Sequence, residues 1–439
     1  MSAEKPRQTT LLLSWSIAAG ALLVYAIERA PVGARAWPYI ALHTGMALAQ
    51  LALAWRLARS NIDPRIRDGV LWAAIAARVA LVFVSSFTTT DVSRYVWDGA
   101  VVLSGHDPFA LAPDAGELAS LRARWPLPED HHDVVGCYPP LAEALFAVCA
   151  LAGPALATLA WKSLVALVSA LSARSLWRAC ETPAQRALAT LWLFHPLVLF
   201  EGGVGAHLDV LTGACVLWAL LAMERDAHDR AALFLGAAVA LKITPLILCA
   251  ALWPRARARV RWALLCAVIP AVTIGAPVAM GAAFPGSLPL VAQHWSFGAP
   301  LWSALYARWP TSDSMIRPAL ALAGALWVFA QWLRPRASHS EIARDALLGY
   351  ALTNPTLYPW YLLPALAAGS LARARNGGAV LWALVTITPF SYEVIDRYAL
   401  RRLWSPARWP LYLTALAPLV AVLVAWVIDR DRSEKNQST

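Results

Sequence analysis

The stretch TTTDVSRYVWDGAVVLSGHDPFALAPDAGELASLRARWPLPEDHHDVVGC, residues 88–137, interrupts a chain that is otherwise mostly apolar. It contains no segment apolar enough to cross a membrane, and it carries eight of the chain's 27 carboxylates. These eight are Asp91, Asp98, Asp107, Asp114, Glu117, Glu129, Asp130 and Asp133. Connections of this length are usually either functional or disordered, and the aromatic residues of this one argue against disorder. It is predicted to be a folded active-site loop between membrane helices.

The composition indicates a polytopic membrane protein. Hydrophobic residues make up 59% of the 439 residues and charged residues 15%, whereas a soluble domain is about half apolar and a quarter charged. Apolar stretches of roughly 17–25 residues, long enough to cross a bilayer as helices, recur along the chain. We expect an all-α fold of about 12–14 transmembrane helices in a single domain over residues 1–439. The first helix is expected to be retained, because no clear cleavage site follows it.

The formal net charge of +10 is explained by membrane topology rather than by nucleic-acid binding. The arginines cluster in short connections, which is typical of cytoplasmic loops. The clusters are Arg56, Arg59, Arg65 and Arg67; Arg255, Arg257, Arg259 and Arg261; Arg334 and Arg336; and Arg373 and Arg375. This pattern places residues 88–137, 354–361 and 393–402 on the extracytoplasmic side. It places a charged tail, residues 429–439, in the cytoplasm.

Apolar runs between basic and turn-rich breaks predict the helices. They lie near residues 9–28, 37–57, 69–87, 139–152, 157–173, 187–200, 208–223, 230–253, 262–281, 299–309, 315–333, 344–356, 358–371, 378–391 and 408–428. The direction of the chain is hard to follow at the Gly153-Pro154 break and in segment 230–253, which has basic residues at both ends. Two short helices meeting at Pro245 would resolve the second case, because non-helical backbone is tolerated where it lines a cavity.

The first candidate site begins at Asp91, after the third predicted helix. If this backbone is helical, Asp91, Arg94, Tyr95 and Asp98 are spaced i, i+3, i+4, i+7 and share one face. A carboxylate for proton transfer, a guanidinium for an anion and an aromatic ring for a sugar face suit a saccharide site. The alternative is an interfacial helix with ordinary salt bridges and an aromatic belt.

The segment Glu129-Asp130-His131-His132-Asp133 has the residue types of a metal site. Adjacent histidines on a helix or strand do not point at one ion, although a loop can fold them around it. The alternative is a hydrogen-bonding loop, and no residue is assigned as a metal ligand. The six scattered cysteines include no CxxC pair and predict neither a disulfide framework nor a thiolate site.

Ionisable residues also interrupt later apolar segments. Residues 201–209 combine glycines with His207 and Asp209 at a helix start, which indicates a cavity wall. Acids inside a membrane are usually functional or paired, but His207 and Asp209 are two residues apart and do not share a helical face. Lys242 needs a partner at membrane depth, which would be a phosphate, a local carboxylate or the interface reached by snorkelling.

Aromatic residues lie beside these segments on the predicted outer side. Tyr138 ends the long loop and is followed by two prolines that fit a helix start. Tyr358 and Trp360 lie in the run Tyr358-Pro359-Trp360-Tyr361. Such rings are either membrane-belt residues or walls that stack on a sugar.

Six motifs together resemble the C-type (GT-C fold) polyprenyl-phosphate-sugar glycosyltransferases, in particular bacterial mannosyltransferase-like and family-87-like membrane proteins. The motifs are TTTDVSRYVWDG at 88–99, GHDPFALAPD at 105–114, DVVGCYPPLAEALF at 133–146, GAHLDVL at 205–211, ALKITPLIL at 240–248 and NPTLYPWYLLP at 354–364. Each motif is degenerate alone, and their order along the chain gives the set its specificity.

The resemblance implies an enzyme of the bacterial inner membrane. It would move a sugar, mannose by default, from a polyprenyl-phosphate donor to a glycan or glycolipid acceptor on the extracytoplasmic side. Asp91 would activate or orient the acceptor hydroxyl with support from Asp98, and Lys242, with Arg94 as second candidate, would hold the donor phosphate. The other predicted substrate contacts are Tyr95, His132, Tyr138, His207, Asp209, Tyr358 and Trp360.

Two questions stay open on the sequence. Many relatives carry paired acids where this chain has Thr90-Asp91, so participation of a divalent cation is undecided. The rival functional class is a transporter or flippase of a lipid-linked saccharide, which would also use charges and broken helices at the membrane midplane. That class predicts repeat symmetry between the two halves of the chain, and no internal repeat is found.

Overall fold

The protein is a bundle of helices, as seen in a computed structural model that describes residues 4–373 and 376–437. No strand forms within those residues. The helices are α1 Glu4–Ala21, α2 Val24–Glu28, α3 Ala36–Ala58, α4 Pro64–Leu81, α5 Asp91–Leu103, α6 Ala119–Arg122, α7 Pro140–Ala150, α8 Ala157–Ala179, α9 Pro183–Phe194, α10 Pro196–Gly203 and α11 Asp209–Met223. They continue with α12 His228–Leu241, α13 Leu246–Leu252, α14 Arg259–Ala279, α15 Leu288–His294, α16 Pro300–Arg308, α17 Asp313–Ala330, α18 His339–Thr353, α19 Leu363–Gly369, α20 Asn376–Ile387, α21 Val394–Arg401 and α22 Arg408–Gln437.

The lengths and compositions of the helices confirm an all-α polytopic membrane protein. Among the described residues, five helical segments are long and apolar enough to cross a membrane. They are Gln8–Glu28, Ala157–Ala179, Arg259–Ala279, Pro310–Leu333 and Gly377–Arg401. Shorter apolar helices accompany them, at Pro140–Ala150, Asp209–Met223, Leu246–Arg255 and Arg408–Leu423. The total of 12–14 crossings stays a prediction.

The arginine-rich connections contact one another at one end of the bundle, here called the basic end. Arg67 donates hydrogen bonds to the carbonyls of Trp177 and Arg178, and Arg255 donates to the carbonyl of Arg334. Sequence-distant basic loops are therefore neighbours in space, and the side of the membrane on which they lie stays a prediction. Arg375 and the last two residues of the charged tail predicted at 429–439 lie outside the described residues.

The loop of residues 88–137 lies at the other end, here called the acidic end, and is folded. Its helix α5 buries Trp97, Ala100 and Val101 against Leu118 and Leu121, which together form a small core separate from the main one. Such a core explains how so polar a loop keeps a defined shape, since burial of apolar surface is the main stabilising term.

One carboxylate ties this loop to a later part of the chain. Asp107 Oδ1 accepts a hydrogen bond from the Phe109 backbone, and its Oδ2 accepts one from the Ala283 N–H at 2.7 Å. Asp107 therefore has a structural role in the described structure, as its turn-forming neighbours Gly105 and Pro108 suggest.

The third predicted helix, 69–87, is displaced by about six residues toward the C-terminus relative to α4, which spans Pro64–Leu81. Helix α4 ends at Leu81, the backbone is irregular up to Thr90, and a separate helix, α5, begins at Asp91. The predicted helical spacing from Asp91 onward is therefore present, but in a new helix rather than a continuation of α4. An acidic residue in a first turn also interacts favourably with the helix dipole.

The predicted helix at 139–152 forms as α7, but α7 does not lead to the basic end. It starts just after Tyr138, whose hydroxyl lies 3.3 Å from that of Tyr95 on α5. The next helix, α8, begins at the acidic end, where the Trp161 indole donates to the Ala206 carbonyl and Lys162 donates to the Val84 carbonyl. The 11 residues of α7 therefore stay at the acidic end, and the chain crosses in α8. This resolves the direction at Gly153-Pro154.

The predicted helix at 187–200 is broken into α9 and α10 by Pro196. Proline lacks the N–H that would bond the carbonyl four residues earlier, which frees the Trp192 carbonyl. Arg78, buried in α4, donates to Trp192 O at 2.6 Å and to Leu193 O at 2.8 Å. A buried arginine thus satisfies the carbonyls that the break exposes, as backbone groups in a membrane require.

Segment 230–253 forms the pair of short helices that the sequence suggested. Helix α12 ends at Leu241, Lys242 has extended dihedrals, and α13 begins after Pro245. The chain therefore turns back near the acidic end and returns to Arg255 at the basic end. Basic residues at both ends of segment 230–253 therefore agree with the arginine pattern, because the segment does not make a single crossing.

Candidate active site

The site is centred on Asp91 and His207, which belong to different parts of the chain. Asp91 Oδ2 lies 3.3 Å from His207 Nδ1. His207 is completely buried, whereas a third (33%) of the Asp91 side chain is exposed. The carboxylate is therefore held from one side and reachable from the other, which suits a group that contacts a substrate.

Two tyrosines complete the surroundings of Asp91. The Tyr95 hydroxyl donates to Asp91 Oδ2 at 3.3 Å and lies 3.3 Å from the Tyr138 hydroxyl. The Tyr95 ring stacks on Phe146 of α7, with centroids 4.6 Å apart. The packing of α5 on α7 thus places Tyr95 and Tyr138 beside Asp91.

The electrostatics of this pair favour an ionised carboxylate. Burial raises the pKa of Asp91, but its interaction with His207 and the charge of Lys242 lower it, so the pKa is below the ordinary value of 3.8. Burial lowers the pKa of His207, but Asp91 and Glu201 raise it to about 9. At neutral pH the pair is therefore a carboxylate beside an imidazolium.

His207 is held in a loop, residues 204–208, that links α10 to α11. Its Nε2 lies 3.1 Å from Glu201 Oε2, and its backbone N–H donates to the Glu201 carbonyl at 2.8 Å. A Cβ at Gly205 would lie 2.6 Å from Glu201 Oε2 and 2.7 Å from His207 Cδ2, so a larger residue there would displace one of these side chains. Ala206 has a positive φ of 45°. The glycine-rich cavity wall predicted at 201–209 is this tight loop.

Lys242 and Asp209 form an ion pair next to the Asp91 pair. The ammonium lies 2.7 and 2.8 Å from the two carboxylate oxygens of Asp209 and 4.0 Å from the centre of the Tyr361 ring. The local carboxylate that the sequence left as an alternative partner of Lys242 is therefore present. An ammonium has three donors, so Lys242, 19% exposed, keeps donor capacity beyond this pair.

Tyr358 and Trp360 belong to a column of stacked rings. Trp360 stacks on His207 with centroids 3.9 Å apart and on Tyr358 at 4.4 Å, and Tyr358 stacks on Phe297 at 4.2 Å. Trp360 is 5% exposed and Tyr358 8%. Because their faces are covered by one another, these rings form a wall that supports His207 instead of offering a free face to a sugar.

The four residues predicted to share one face of α5 form two groups with different contacts. Arg94 Nε donates to both oxygens of Asp98, at 2.8 and 2.9 Å, and its Nη1 donates to the Val134 carbonyl at 2.8 Å. Asp98 is 2% exposed, and burial raises its pKa to about 6 even though Arg94 opposes this. Arg94 and Asp98 therefore fasten the end of the long loop, while Asp91 and Tyr95 turn toward His207.

The segment 129–133 is a hydrogen-bonding loop in the structure. The His132 ring Nε2 lies 2.5 Å from the Pro128 carbonyl, and Asp130 accepts a hydrogen bond from Tyr398. In the part of the chain that the structure describes, no group of three or more histidine, cysteine, aspartate or glutamate side chains could hold a metal ion. His132, predicted as a substrate contact, is engaged by its own loop.

Three residues of the site were not assigned to it from the sequence, although two of them lay in segments that the sequence had marked. Glu201 faces His207, and Tyr392 donates a hydrogen bond to Glu201. Tyr361 lies under the ammonium of Lys242. Glu201 stood at the start of the polar island, and an ionisable residue between two apolar helices was the available signal. Nothing in the sequence singled out Tyr392, which lies 191 residues from its partner.

The sequence of the chain matches one family model. Residues 137–357, half of the chain, match glycosyltransferase family 87. The match includes His207, Asp209 and Lys242, whereas Asp91 precedes it. No curated protein and no solved structure matches the chain.

Proposed function

The chain belongs to glycosyltransferase family 87 and is a membrane glycosyltransferase, and from that premise we propose that Asp91 acts directly on the acceptor. The proposed reaction moves a hexose, mannose first, from a polyprenyl-phosphate donor to an envelope glycan or lipid. The reaction takes place on the extracytoplasmic side of a bacterial inner membrane. Membership of a transferase family favours this function over the transporter considered from sequence.

One observation carries the proposal: the partly exposed Asp91 carboxylate is held by His207 and Tyr95. An acceptor hydroxyl bound at the exposed side would donate its hydrogen bond to this carboxylate. Because the pKa of Asp91 is lowered, the group is ionised before the acceptor arrives. It orients the acceptor first and takes the proton as the new bond forms, since a weak base accepts it only late in the reaction.

The proposed step is an inverting displacement at the anomeric carbon. The acceptor oxygen forms a bond to that carbon while the bond from the carbon to the phosphate oxygen breaks. The electron pair leaves with the polyprenyl phosphate, and the acceptor proton passes to Asp91. A phosphate is a stable leaving group, so positioning and electrostatic stabilisation are the main needs.

Lys242 is the proposed cation for the phosphate, supported by its place beside the Asp91 pair. Asp209 already neutralises much of its charge, so the contact uses the donor capacity that Asp209 leaves. The imidazolium of His207, near the same carboxylate, adds positive charge to the site.

The test is transfer of labelled mannose from polyprenyl-phosphate-mannose in membranes that contain Asp91→Asn. We expect a loss of at least about 10²-fold in rate, the usual lower range for a general base. Asp114→Asn is the matched control, because Asp114 is an exposed carboxylate of the same loop. Transfer at the wild-type rate by a correctly inserted Asp91→Asn protein would remove Asp91 from the mechanism.

A further inference from the structure

Glu201 is a completely buried carboxylate behind the proposed catalytic pair. Its Oε2 faces His207 Nε2 at 3.1 Å, and its Oε1 accepts a hydrogen bond from the Tyr392 hydroxyl. Burying a carboxylate is costly unless a positive charge or hydrogen bonds compensate it. Each oxygen of Glu201 faces one compensating group, and one of these groups is the ring that contacts Asp91.

We propose that Glu201, held by Tyr392, is a positioning residue that fixes the orientation and the protonated state of His207 toward Asp91. The inference rests on the proposed role of Asp91. The hydrogen-bonding partner of one imidazole nitrogen determines the orientation and protonation of the other. A base that is itself oriented by a third group is a recurring arrangement in catalysis.

The surrounding backbone is built for this contact. The His207 N–H donates to the Glu201 carbonyl, so the two residues are joined through backbone as well as side chain. The missing side chain at Gly205 leaves room for this contact, since a Cβ there would lie 2.6 Å from Glu201 Oε2 and 2.7 Å from His207 Cδ2. Trp360 covers the ring face. The imidazole therefore has a carboxylate oxygen within 3.3 Å of each nitrogen and an indole on one face.

The charged neighbours of His207 come from separate elements. Asp91 faces it from α5 and Glu201 from α10. Tyr95 donates to the same Asp91 oxygen that faces His207, and the charge of Lys242 lowers the pKa of Asp91. The Asp209 carboxylate is neutralised by Lys242. Glu201 is thus one of two acids that favour the imidazolium, and removing its charge makes the ring easier to deprotonate.

The experiment compares Glu201→Gln with wild type in the full-length protein, using labelled polyprenyl-phosphate-mannose. We expect kcat to fall about 10- to 100-fold with little change in either KM, because the loss acts on the transition state through Asp91. The alkaline limb of the pH profile should move down by about one unit. Tyr392→Phe should also lower kcat and move the alkaline limb down, in each case by less than Glu201→Gln does. Glu201→Asp should restore part of the alkaline limb.

Controls separate positioning from folding. Glu341→Gln removes a buried carboxylate at the basic end and should keep the wild-type rate and pH profile. A Glu201→Gln or Tyr392→Phe protein that unfolds at a lower temperature but keeps the wild-type pH profile overturns the inference, because a structural role alone would do this. If Glu201→Gln does not fold, Tyr392→Phe, which keeps the carboxylate, decides the question.

The inference and the proposed function fail in different ways. An inactive Asp91→Asn protein together with an unchanged pH profile in Glu201→Gln would overturn only the role of Glu201. Wild-type transfer by Asp91→Asn would overturn the proposed function itself, and with it the reason for positioning His207.

Discussion

The imidazole of His207 lies parallel to the indole of Trp360, with ring centroids 3.9 Å apart and 12° between the planes. Tyr358 stacks on Trp360 in turn, so the aromatic motif near residue 360 supports a catalytic side chain. Aromatic contacts of this kind contribute about 0.5–1.5 kcal/mol beyond the buried area, enough to orient a ring.

Trp360→Leu should therefore lower kcat without raising the KM for donor or acceptor. We expect a loss of about tenfold, which corresponds to 1.4 kcal/mol. Steady-state kinetics with labelled donor checks this. The control is Trp55→Leu, which changes an exposed tryptophan of α3. A raised KM with unchanged kcat would instead mean that Trp360 contacts the sugar.

The transfer rate should depend on pH through His207. Its pKa is raised to about 9 by Asp91 and Glu201 against the effect of burial, so the imidazolium is complete near neutral pH and is lost as the pH rises through about 9. The pKa of Asp91 is lowered, so the carboxylate stays ionised on the acid side of neutrality. kcat/KM should be level around neutral pH and fall above about 9. His207→Gln should abolish that alkaline limb, and a limb that persists in this variant would assign it to another group.

The effects of substituting Lys242 and Asp209 on the free energy of unfolding should depend strongly on each other. Lys242→Met leaves the buried Asp209 without its cation and should cost roughly 3–5 kcal/mol of stability, as broken buried pairs do. The double variant Lys242→Met/Asp209→Asn should recover much of this loss. Thermal unfolding in detergent measures both.

The same variants test the phosphate contact. The double variant should fold but bind the donor more weakly, so its donor KM should rise while its acceptor KM does not. A double variant with the wild-type donor KM would leave Lys242 with a purely structural role.

Arg94 should matter for the fold of the long loop more than for binding. Arg94→Met removes the bonds to Asp98 and to the Val134 carbonyl, so proteolysis within residues 129–135 should become faster. Asp98→Asn should have a smaller effect, because an amide oxygen can still accept from Arg94 and burial already disfavours the charge. Arg124→Met, at an exposed position of the loop, is the control. Equal proteolysis rates in all three variants would contradict the fastening role.

In the loop at 204–208, the transfer activity should survive a substitution at Ala206 but not one at Gly205. Gly205→Ala places a Cβ 2.6 Å from Glu201 Oε2 and should lower the transfer rate tenfold or more, by about 1.4 kcal/mol. Ala206→Gly relaxes a positive φ and should retain the activity, because glycine adopts this conformation readily. Activity and thermal unfolding of both proteins check the pair, and an active Gly205→Ala protein would show that the loop can move.

Local patterns in the sequence determined the class of fold and parts of the site. Hydropathy and helical periodicity are properties of neighbouring residues, so they predicted the membrane helices, the helical spacing from Asp91 and the break at Lys242-Pro245. Arginine clustering predicted two ends of opposite character, and the basic loops do lie together. The same signals could not show that α7 stays at one end, because its composition resembles that of a crossing helix.

Only the tertiary structure decided which polar groups meet. Asp91 reaches His207, Glu201 reaches Tyr392, and Lys242 reaches Asp209 because helices distant in sequence pack side by side. Sequence periodicity fixes the face of a helix on which a side chain lies, but not the helix that this face meets. The same limit explains Arg94, whose spacing to Asp98 was predicted correctly and whose further partner is the Val134 carbonyl of the loop's own backbone. The sequence supplied the ionisable residues, and long-range packing selected Asp91 and His207 as the pair.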